Sequence, residues 1–564
     1  MNTAKIWASL HPFYEGGSVL GRTMANRDFI RAFLRMAGAT DFFSAFHFFL
    51  PTPEDVHGLE AQLKKEHPIL HAQGRFLVRL RRALPEALAQ TEYYCFHLSD
   101  PFVSHADLIR LRNRYSRVIF PVTAPTHSLS YREYGESFLR HMWAGISGRD
   151  ALVATSTRGQ SVVAGFYRML RHNYGLAAEA FPAPAVPVIP LGVALDDFPG
   201  PEDRAGSLRA EARTAQGFRE DEVVFLTLAR ISYQSKMDLL PLLQAFKRAE
   251  AEGLAPRSYH FLLAGWEHEE DHFGSDIEQF CRNLGISCTI VRRPDDEQRK
   301  ALYAAADVFV SPVDNVQETF GLTMLEAAAS SLPIIASDFD GYKDLVRHNE
   351  TGILVPTLGP VDTSDTNVRS VAVSASEYHL RLAQQCVVDV KALGRALARL
   401  GTDSVLRRVM GEEGRKYALG YSWERIVTRY MALWGELNAV PLSREEEQRL
   451  RRSAYPCQID YADLFSGYYS ATLGDPGQQT RLVQWSRRGE AVYRGKDFPV
   501  FYEVIENGIP REGLKKLLLA ARKPLPLADA RAVAARLQEE GKASGDPDFL
   551  LLWALKHDLL EFAE

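Results

Sequence analysis

Cysteine is scarce: five residues in a chain of 564, namely Cys95, Cys281, Cys288, Cys386 and Cys457. No two of them stand as C-x-x-C, so neither a zinc ribbon nor a dithiol redox motif is signalled. So few thiols, odd in number, make no disulfide framework and fit the reducing conditions of a cytoplasm. Long apolar runs are missing as well. The longest, Phe42 to Leu50, is interrupted by His47 and falls far short of the ~20 residues of a membrane-spanning helix. The start, Met1-Asn2-Thr3-Ala4-Lys5-Ile6, lacks the apolar core of a signal peptide. Nor is there a large charge of one sign: 66 basic against 71 acidic residues leave −5, which is not the balance of a nucleic-acid binder. Three motifs are absent: G-x-S-x-G, G-x-x-x-x-G-K-[ST] and G-x-G-x-x-G. Their absence removes the commonest hydrolase, P-loop and dinucleotide readings. What is plentiful is ordinary. With 46% hydrophobic and 24% charged residues the chain is a globular protein and not a disordered one.

The length suggests several domains at about 100–200 residues each. The pattern along the chain divides it. Strand-like runs at Ile6–Leu10, Phe42–Phe49, Tyr93–Leu98, Arg117–Val122, Leu152–Thr155 and Val186–Ile189 alternate with helical periods such as Phe29, Ile30, Phe33 and Leu34. Pro199-Gly200-Pro201-Glu202-Asp203 interrupts regular structure and marks a boundary. A second series follows, with strands expected at Val223–Ala229, Tyr259–Ala264, Cys288–Val291, Val308–Ser311, Ile334–Ser337 and Ile353–Val355. Helices are expected between them at Asp238–Ala249 and Glu297–Ala305. Alternation of this kind specifies α/β domains with parallel sheets. Two such sheets facing each other place a ligand cleft between the carboxyl ends of their strands. Residues 357–378 have no clear period and read as a loop. Helical patterns resume at Leu393–Leu400, Val405–Met410 and Trp423–Leu437. After Val440 the patterns at 444–452, 512–521, 528–539 and 549–562 describe a mostly α-helical tail, with an aromatic-rich stretch at Tyr461–Tyr469.

The densest chemical signal runs from Ser311 to Ala327. A strand ends at Ser311, a loop carries Glu318, and a helix is expected from near Phe320, with Glu326 on its second turn. The free amides of Thr319, Phe320, Gly321 and Leu322 at such a helix start suit a phosphate. A carboxylate accepts paired hydrogen bonds from vicinal hydroxyls, as on a ribose or hexose. Amides for phosphate and carboxylates for hydroxyls together describe a nucleotide-sugar site.

This segment resembles the E-x7-E motif of the retaining glycosyltransferases of family 4, which have the GT-B fold. Other pieces follow in that family's order. Arg230 and Lys236 resemble its pair that grips the donor diphosphate, and Ile189-Pro190-Leu191-Gly192-Val193 resembles its interdomain segment. Pro333–Asp338 with Gly341, then Gly352–Val355, and finally Tyr421-Ser422-Trp423 complete the likeness, which covers about residues 1–437. Two positions depart from the pattern: Met237 stands where the family has glycine, and Ala229-Arg230-Ile231 stands for Gly-Arg-Leu.

The resemblance implies a GT-B architecture of two facing Rossmann-like domains. Residues 1–200 would form the acceptor side and 201–425 the donor side. A helix, 426–440, would return to the first domain, and 441–564 would be a helical accessory domain. It implies a retaining, metal-independent hexosyl transfer from a nucleotide diphosphate sugar, with no cofactor and no metal ligands. Glu318 and His127 would hold the sugar. Arg230, Lys236, Glu326, Thr319, Phe320, Gly321, Leu322 and the glycines Gly16 and Gly17 would hold the rest of the donor.

Alternatives stay open. One is a GT-B-like nucleotide-sugar binding or scaffold protein without turnover. Another is a zinc hydrolase through His268 and His272, since His268-Glu269-Glu270-Asp271-His272 satisfies H-E-x-x-H. Its acidic surroundings and the want of a third ligand argue against that. The acceptor stays open between glycan, lipid, small molecule and protein, with no nucleic-acid partner expected. Assembly of copies through the tail is a further option. The expected location is cytoplasmic, with a peripheral place at the inner membrane face left open.

Overall fold

Short runs of aliphatic and aromatic residues become strands here because the sheet they enter is covered on both faces, so alternation is unnecessary. The computed structural model describes residues 5–14, 21–267, 272–502, 509–540, 546 and 548–563. In the first lobe the strands are β1 (Ile6–Ser9), β2 (Ala45–Leu50), β3 (Phe76–Leu80), β4 (Cys95–His97), β5 (Val122–Pro125) and β6 (Asp150–Val153). They form one six-stranded parallel sheet in the order β3-β2-β1-β4-β5-β6. In the second lobe they are β7 (Val223–Leu228), β8 (Tyr259–Gly265), β9 (Cys288–Arg292), β10 (Val308–Ser311), β11 (Ile334–Ser337) and β12 (Gly352–Val355). Their order is β12-β11-β10-β7-β8-β9, again parallel. Each sheet therefore reverses its winding once, between β1 and β4 and between β7 and β10. Loops leaving the carboxyl ends of strands at such a reversal form the binding crevice of doubly wound sheets.

Six helices matter for the site. They are α1 (Gly21–Gly38), α2 (Asp296–Ala305), α3 (Leu322–Ala329), α4 (Ala375–Ala383), α5 (Trp423–Ala439) and α6 (Arg444–Arg452). Helix α1 buries Phe29, Ile30, Phe33 and Leu34, the periodic set read from the sequence. Helix α5 follows the second lobe but packs into the first. Its Trp434 meets Phe33 edge-on at 5.5 Å, and Tyr430 meets Phe29 at 5.1 Å. Two chain segments therefore join the lobes, and they pair with each other where Val193 bridges Ser422.

The chain divides into two compact units, residues 1–456 and 457–564. The first contains both lobes and also α6, whose Arg451 donates to the Ser116 carbonyl at 2.5 Å. The second has its own core around Val483, Leu517, Leu518, Ala530 and Leu551. No described helix is long and apolar enough to cross a membrane.

Four expectations need correction. The strand placed at Arg117–Val122 begins only at Val122, because 117–121 make no ladder. Val186–Ile189 is no strand; only isolated bridges tie Ala185 and Val188 to the β6 edge. Residues 357–378 are not a plain loop. They hold helices at Ser364–Arg369 and the start of α4, framed by the small antiparallel pair Thr357–Leu358 with Val387–Val388. The helical tail also carries a three-stranded sheet, with Leu482–Trp485 between Leu525–Pro526 and Leu560–Phe562.

Candidate active site

The lobes enclose a cleft with two adjoining cavities. One, of about 380 Å³, is lined by His127 of the first lobe and by Arg230, Lys236 and the stretch Gln317–Leu322 of the second. The other, of about 420 Å³, holds Trp266, Arg293, Thr323 and Glu326. Gly21, Arg230, Lys236, Glu318 and Leu322 line both. The residues singled out in the second lobe thus stand in one place, and the two cations sit at the seam between the cavities. Gly16 and Gly17 lie outside the described residues.

Glu318 is the most heavily engaged carboxylate of the cleft. It forms an ion pair with Lys236. Its Oε1 accepts the amides of Thr319 and Phe320 at 3.3 and 3.4 Å, and its Oε2 accepts the Tyr342 hydroxyl at 3.4 Å. Burial pushes this carboxyl up, but Lys236 and the two amides outweigh it and the net shift is downward. The side chain therefore stays ionised in the closed cleft. This corrects one detail of the sequence reading: the amides of Thr319 and Phe320 are occupied by the neighbouring carboxylate. The helix begins two residues later than expected, at Leu322, capped by Gly321 at φ +99°. A Cβ at Gly321 would stand 2.3 Å from the Tyr342 ring, so the turn that delivers Glu318 needs glycine both for its backbone and for its space.

Glu326 lies on α3 facing inward, 5% exposed. Arg299 of α2 donates to its Oε1 and the Tyr303 hydroxyl to its Oε2, both at 2.7 Å. Each carboxylate oxygen keeps one acceptor position beyond these bonds. Neither Arg299 nor Tyr303 was singled out by the sequence reading. The only signal was their i, i+4 spacing, which puts both on one face of α2.

His127 follows β5, and its Nε2 lies 2.9 Å from the Ser99 carbonyl. A carbonyl only accepts, so Nε2 carries the proton and Nδ1 is left as an acceptor. Burial above all lowers its pKa to about 4, so the ring is neutral near pH 7. Arg230 follows β7 at the second-lobe edge of the cleft. Among the described residues its guanidinium has no ion-pair partner, and burial lowers its pKa; the group remains a cation. Deeper in the second cavity, the Arg293 guanidinium lies 5.1 Å from the Trp266 ring. Gly265, at φ +152°, lets the chain pass the Ala229 carbonyl, which a Cβ would meet at 1.6 Å.

The lobes touch across the cleft. Ser156 Oγ donates to the Thr319 carbonyl at 2.8 Å, and Thr157 donates its amide and hydroxyl to Asp344 at 2.6 and 2.7 Å. Helix α4, in the segment first read as a loop, brings His379 onto the Ser130 carbonyl at 3.1 Å. The other ring nitrogen of His379 meets the Gln317 amide at 2.5 Å. Met237 is buried at 2% exposure, and the Lys236 amide bonds the Ser232 carbonyl at 3.0 Å.

His272 is the only residue of the two-histidine motif within the described part; His268 lies outside it. Among the described residues no group of three or more His, Cys, Asp or Glu side chains could hold a metal ion.

Residues 209–366 match the family model of the glycosyl transferases group 1. The chain is 29% identical over 293 residues to a D-inositol 3-phosphate glycosyltransferase of Geodermatophilus obscurus, covering 52% of this chain and 55% of that one. The chain spans about half the length of the curated relatives it matches. Among solved structures, a glycosyltransferase from Rickettsia africae superposes with a TM-score of 0.50 at 16% identity, covering 78% of this chain and 100% of that one. The Anabaena protein Alr3699/HepE, solved in complex with UDP, superposes at 0.50 with 13% identity, covering 77% and 100%. The two facing parallel sheets are thus the GT-B fold, and the segment 209–366, which carries Arg230, Lys236, Glu318 and Glu326, is similar to the glycosyl transferases group 1.

Proposed function

We propose that the protein is a retaining glycosyltransferase that moves a hexosyl group from a nucleotide diphosphate sugar to an acceptor hydroxyl. The observation that carries this reading is the seam. Two cations, Arg230 and Lys236, stand where the two cavities join, which is where a diphosphate would link a nucleoside to a sugar. The nucleoside would occupy the 420 Å³ cavity, with its ribose hydroxyls on the free acceptor positions of Glu326 and its base toward Trp266 and Arg293. The sugar would enter the other cavity beside Glu318 and His127. Leaving-group charge on the diphosphate would be stabilised by Arg230 and Lys236, a preorganised electrostatic effect. Side-chain cations in that position are the basis for reading the reaction as metal-independent. No side chain stands out as a nucleophile. In this reading the acceptor attacks from the face that the leaving group vacates, and the departing phosphate takes the acceptor proton.

A cytoplasmic location goes with this reading and with five free cysteines. The test is calorimetric titration with a panel of nucleoside diphosphates and their sugars, on the wild type and on Glu326→Ala. Saturable binding that the variant loses is the expected result. Binding by no nucleotide would overturn the reading. Binding without release of nucleoside diphosphate over long incubation with acceptor mixtures would favour a scaffold without turnover.

A further inference from the structure

The loops that carry His127 and Glu318 belong to different lobes, one following β5 and the other following β10. The donor reading needs them at a set separation, because the sugar would lie between them. Among the described residues the direct hydrogen-bonded tie between these two loops is one long bond, from Ser128 Oγ to the Gln317 carbonyl at 3.4 Å.

A third element supplies a second tie. His379 of α4 is fully buried and reaches both loops with one ring. Its Nε2 lies 3.1 Å from the carbonyl of Ser130, on the His127 loop. Its Nδ1 lies 2.5 Å from the side-chain amide of Gln317, next to Glu318. A carbonyl only accepts, so Nε2 carries the proton and Nδ1 accepts from the Gln317 nitrogen. Burial above all lowers the pKa of the ring, which is therefore neutral near pH 7 and keeps one donor and one acceptor. The Tyr131 ring meets it edge-on at 5.0 Å. The segment around α4 is itself fixed at both lobes. Arg132 of the first donates to the Ser370 carbonyl at 2.8 Å. Gln384 donates to Asp238, close to Lys236 in the second, at 3.2 Å.

Ser128, Tyr131 and Gln317 line the 380 Å³ cavity, and His379 stands behind them. The two cavities differ in what such a bridge can do to them. The 420 Å³ cavity is lined by second-lobe residues apart from Gly21 and Met24. The 380 Å³ cavity is lined by both lobes, so its width depends on how the lobes are held. A misplacement of about 1 Å at a reacting group can cost about 100-fold in rate. We propose that His379 is a positioning residue for the sugar half of the donor, which it serves by bridging the His127 and Glu318 loops and so setting the span between them. This inference rests on the donor reading above and adds to it a residue that touches no part of the donor.

The experiment compares the full chain with two variants. His379→Phe keeps a ring beside Tyr131 and loses both bonds. His379→Gln offers one donor and one acceptor in place of the two ring nitrogens. Hydrogen exchange without ligand reads the bridge itself. Amides of 127–133 and 315–320 should exchange roughly tenfold faster in His379→Phe, the weight of one or two neutral hydrogen bonds, and stay near wild type in His379→Gln. Unchanged exchange in His379→Phe, or equal acceleration in both variants, would overturn the bridge. Calorimetry reads what the bridge does. The probes are UDP, GDP and ADP, with UDP-glucose, UDP-N-acetylglucosamine, GDP-mannose and ADP-glucose. In His379→Phe the nucleoside diphosphate affinity should stay within about twofold, while that of the matching nucleotide sugar falls about tenfold and recovers in His379→Gln. Equal loss of both ligands, loss of neither, or a wild type that binds a nucleoside diphosphate but no nucleotide sugar would each overturn the positioning role and leave the donor diphosphate site standing. Binding of none of these probes by the wild type would overturn the donor reading and this role with it, while the exchange result would still decide the bridge. Circular dichroism reports whether each variant has folded, and His379→Leu replaces His379→Phe if it has not.

Discussion

At the scale of the residue, the cleft is governed by what each charge sees. Glu318 is buried and ionised because Lys236 and two amides face it. Removing the cation alone leaves a buried carboxylate uncompensated, which costs about 3–5 kcal/mol in comparable pairs. Lys236→Ala should therefore lower stability in urea by that order at pH 7. The sign with pH follows. In the wild type, the depressed Glu318 pKa contributes stability that is present above the unfolded-state value and lost as pH falls through the folded one. In Lys236→Ala burial is opposed by the two amides alone, so the carboxyl is neutralised at higher pH than in the wild type and the deficit should shrink toward pH 4. Equal deficits at pH 7 and pH 4 would contradict the pairing. Glu326 offers a second case. Tyr303→Phe removes one of its two anchors while keeping the ring that packs against Phe309 at 6.1 Å. Nucleoside diphosphate affinity should fall about tenfold, the weight of a hydrogen bond to a charged group. Calorimetry would refute this if the affinity stayed unchanged.

At the scale of the element, geometry sets what the loops can present. Gly321 closes the turn between Glu318 and α3 in a conformation and a space that exclude a Cβ. Gly321→Ala should lower the midpoint of thermal unfolding, with roughly 1–3 kcal/mol of strain, and weaken nucleotide binding together with it. A variant of wild-type stability would show that the turn relaxes freely. The same scale explains what could be read from the chain beforehand. Buried central strands such as β7 and β10 were legible because each is a short, mostly apolar run buried along its whole length. β3 was not read: it is an edge strand carrying Arg79, half-exposed along its length. The segment around α4 looked like a loop because its valines face solvent, Val368 at 73% and Val371 at 80% exposure, so no apolar period forms. The tail sheet escaped because one of its strands has only two residues. In the cleft, Arg230, Lys236, Glu318 and Glu326 carried a spacing that could be recognised. Arg299 and Tyr303 carried only a shared face of α2, and their relation to Glu326 exists only once α2 and α3 converge.

At the scale of the whole molecule, the lobes differ in how they respond to acid. The first lobe holds six histidines whose pKa burial depresses: His47, His105 and His127 to about 4, His97 and His141 to about 3, and His67 in the same direction. The unfolded chain would protonate them near 6.5. Between those values the unfolded state binds more protons, so the first lobe loses stability as pH falls, at about 1.4 kcal/mol per pH unit for each fully responding group. Asp28 in the first lobe opposes this, its carboxyl raised by burial. In the second lobe burial raises Asp314 to about 7 and Asp340 to about 8. Those carboxyls hold protons that the unfolded chain lacks; they offset the losses from the depressed His260, His379 and Glu318, so acidification costs that lobe less. Hydrogen exchange followed at pH 7 and pH 5 should show the first lobe losing protection while the second keeps more of it. Uniform loss across both would contradict the burial pattern.

The return of α5 to the first lobe has a consequence for synthesis on the ribosome. Trp423, Ile426, Tyr430, Trp434 and Leu437 belong to the core that Trp7, Phe33 and Phe46 begin. At ~5–20 residues per second, the nascent first lobe would wait tens of seconds, through the translation of the entire second lobe, for the helix that seals it. The second lobe, contiguous in sequence, is free to fold before the first is complete. The amino-terminal half would thus emerge first and finish last, its aromatic interior in the care of chaperones until residue 439 clears the exit tunnel.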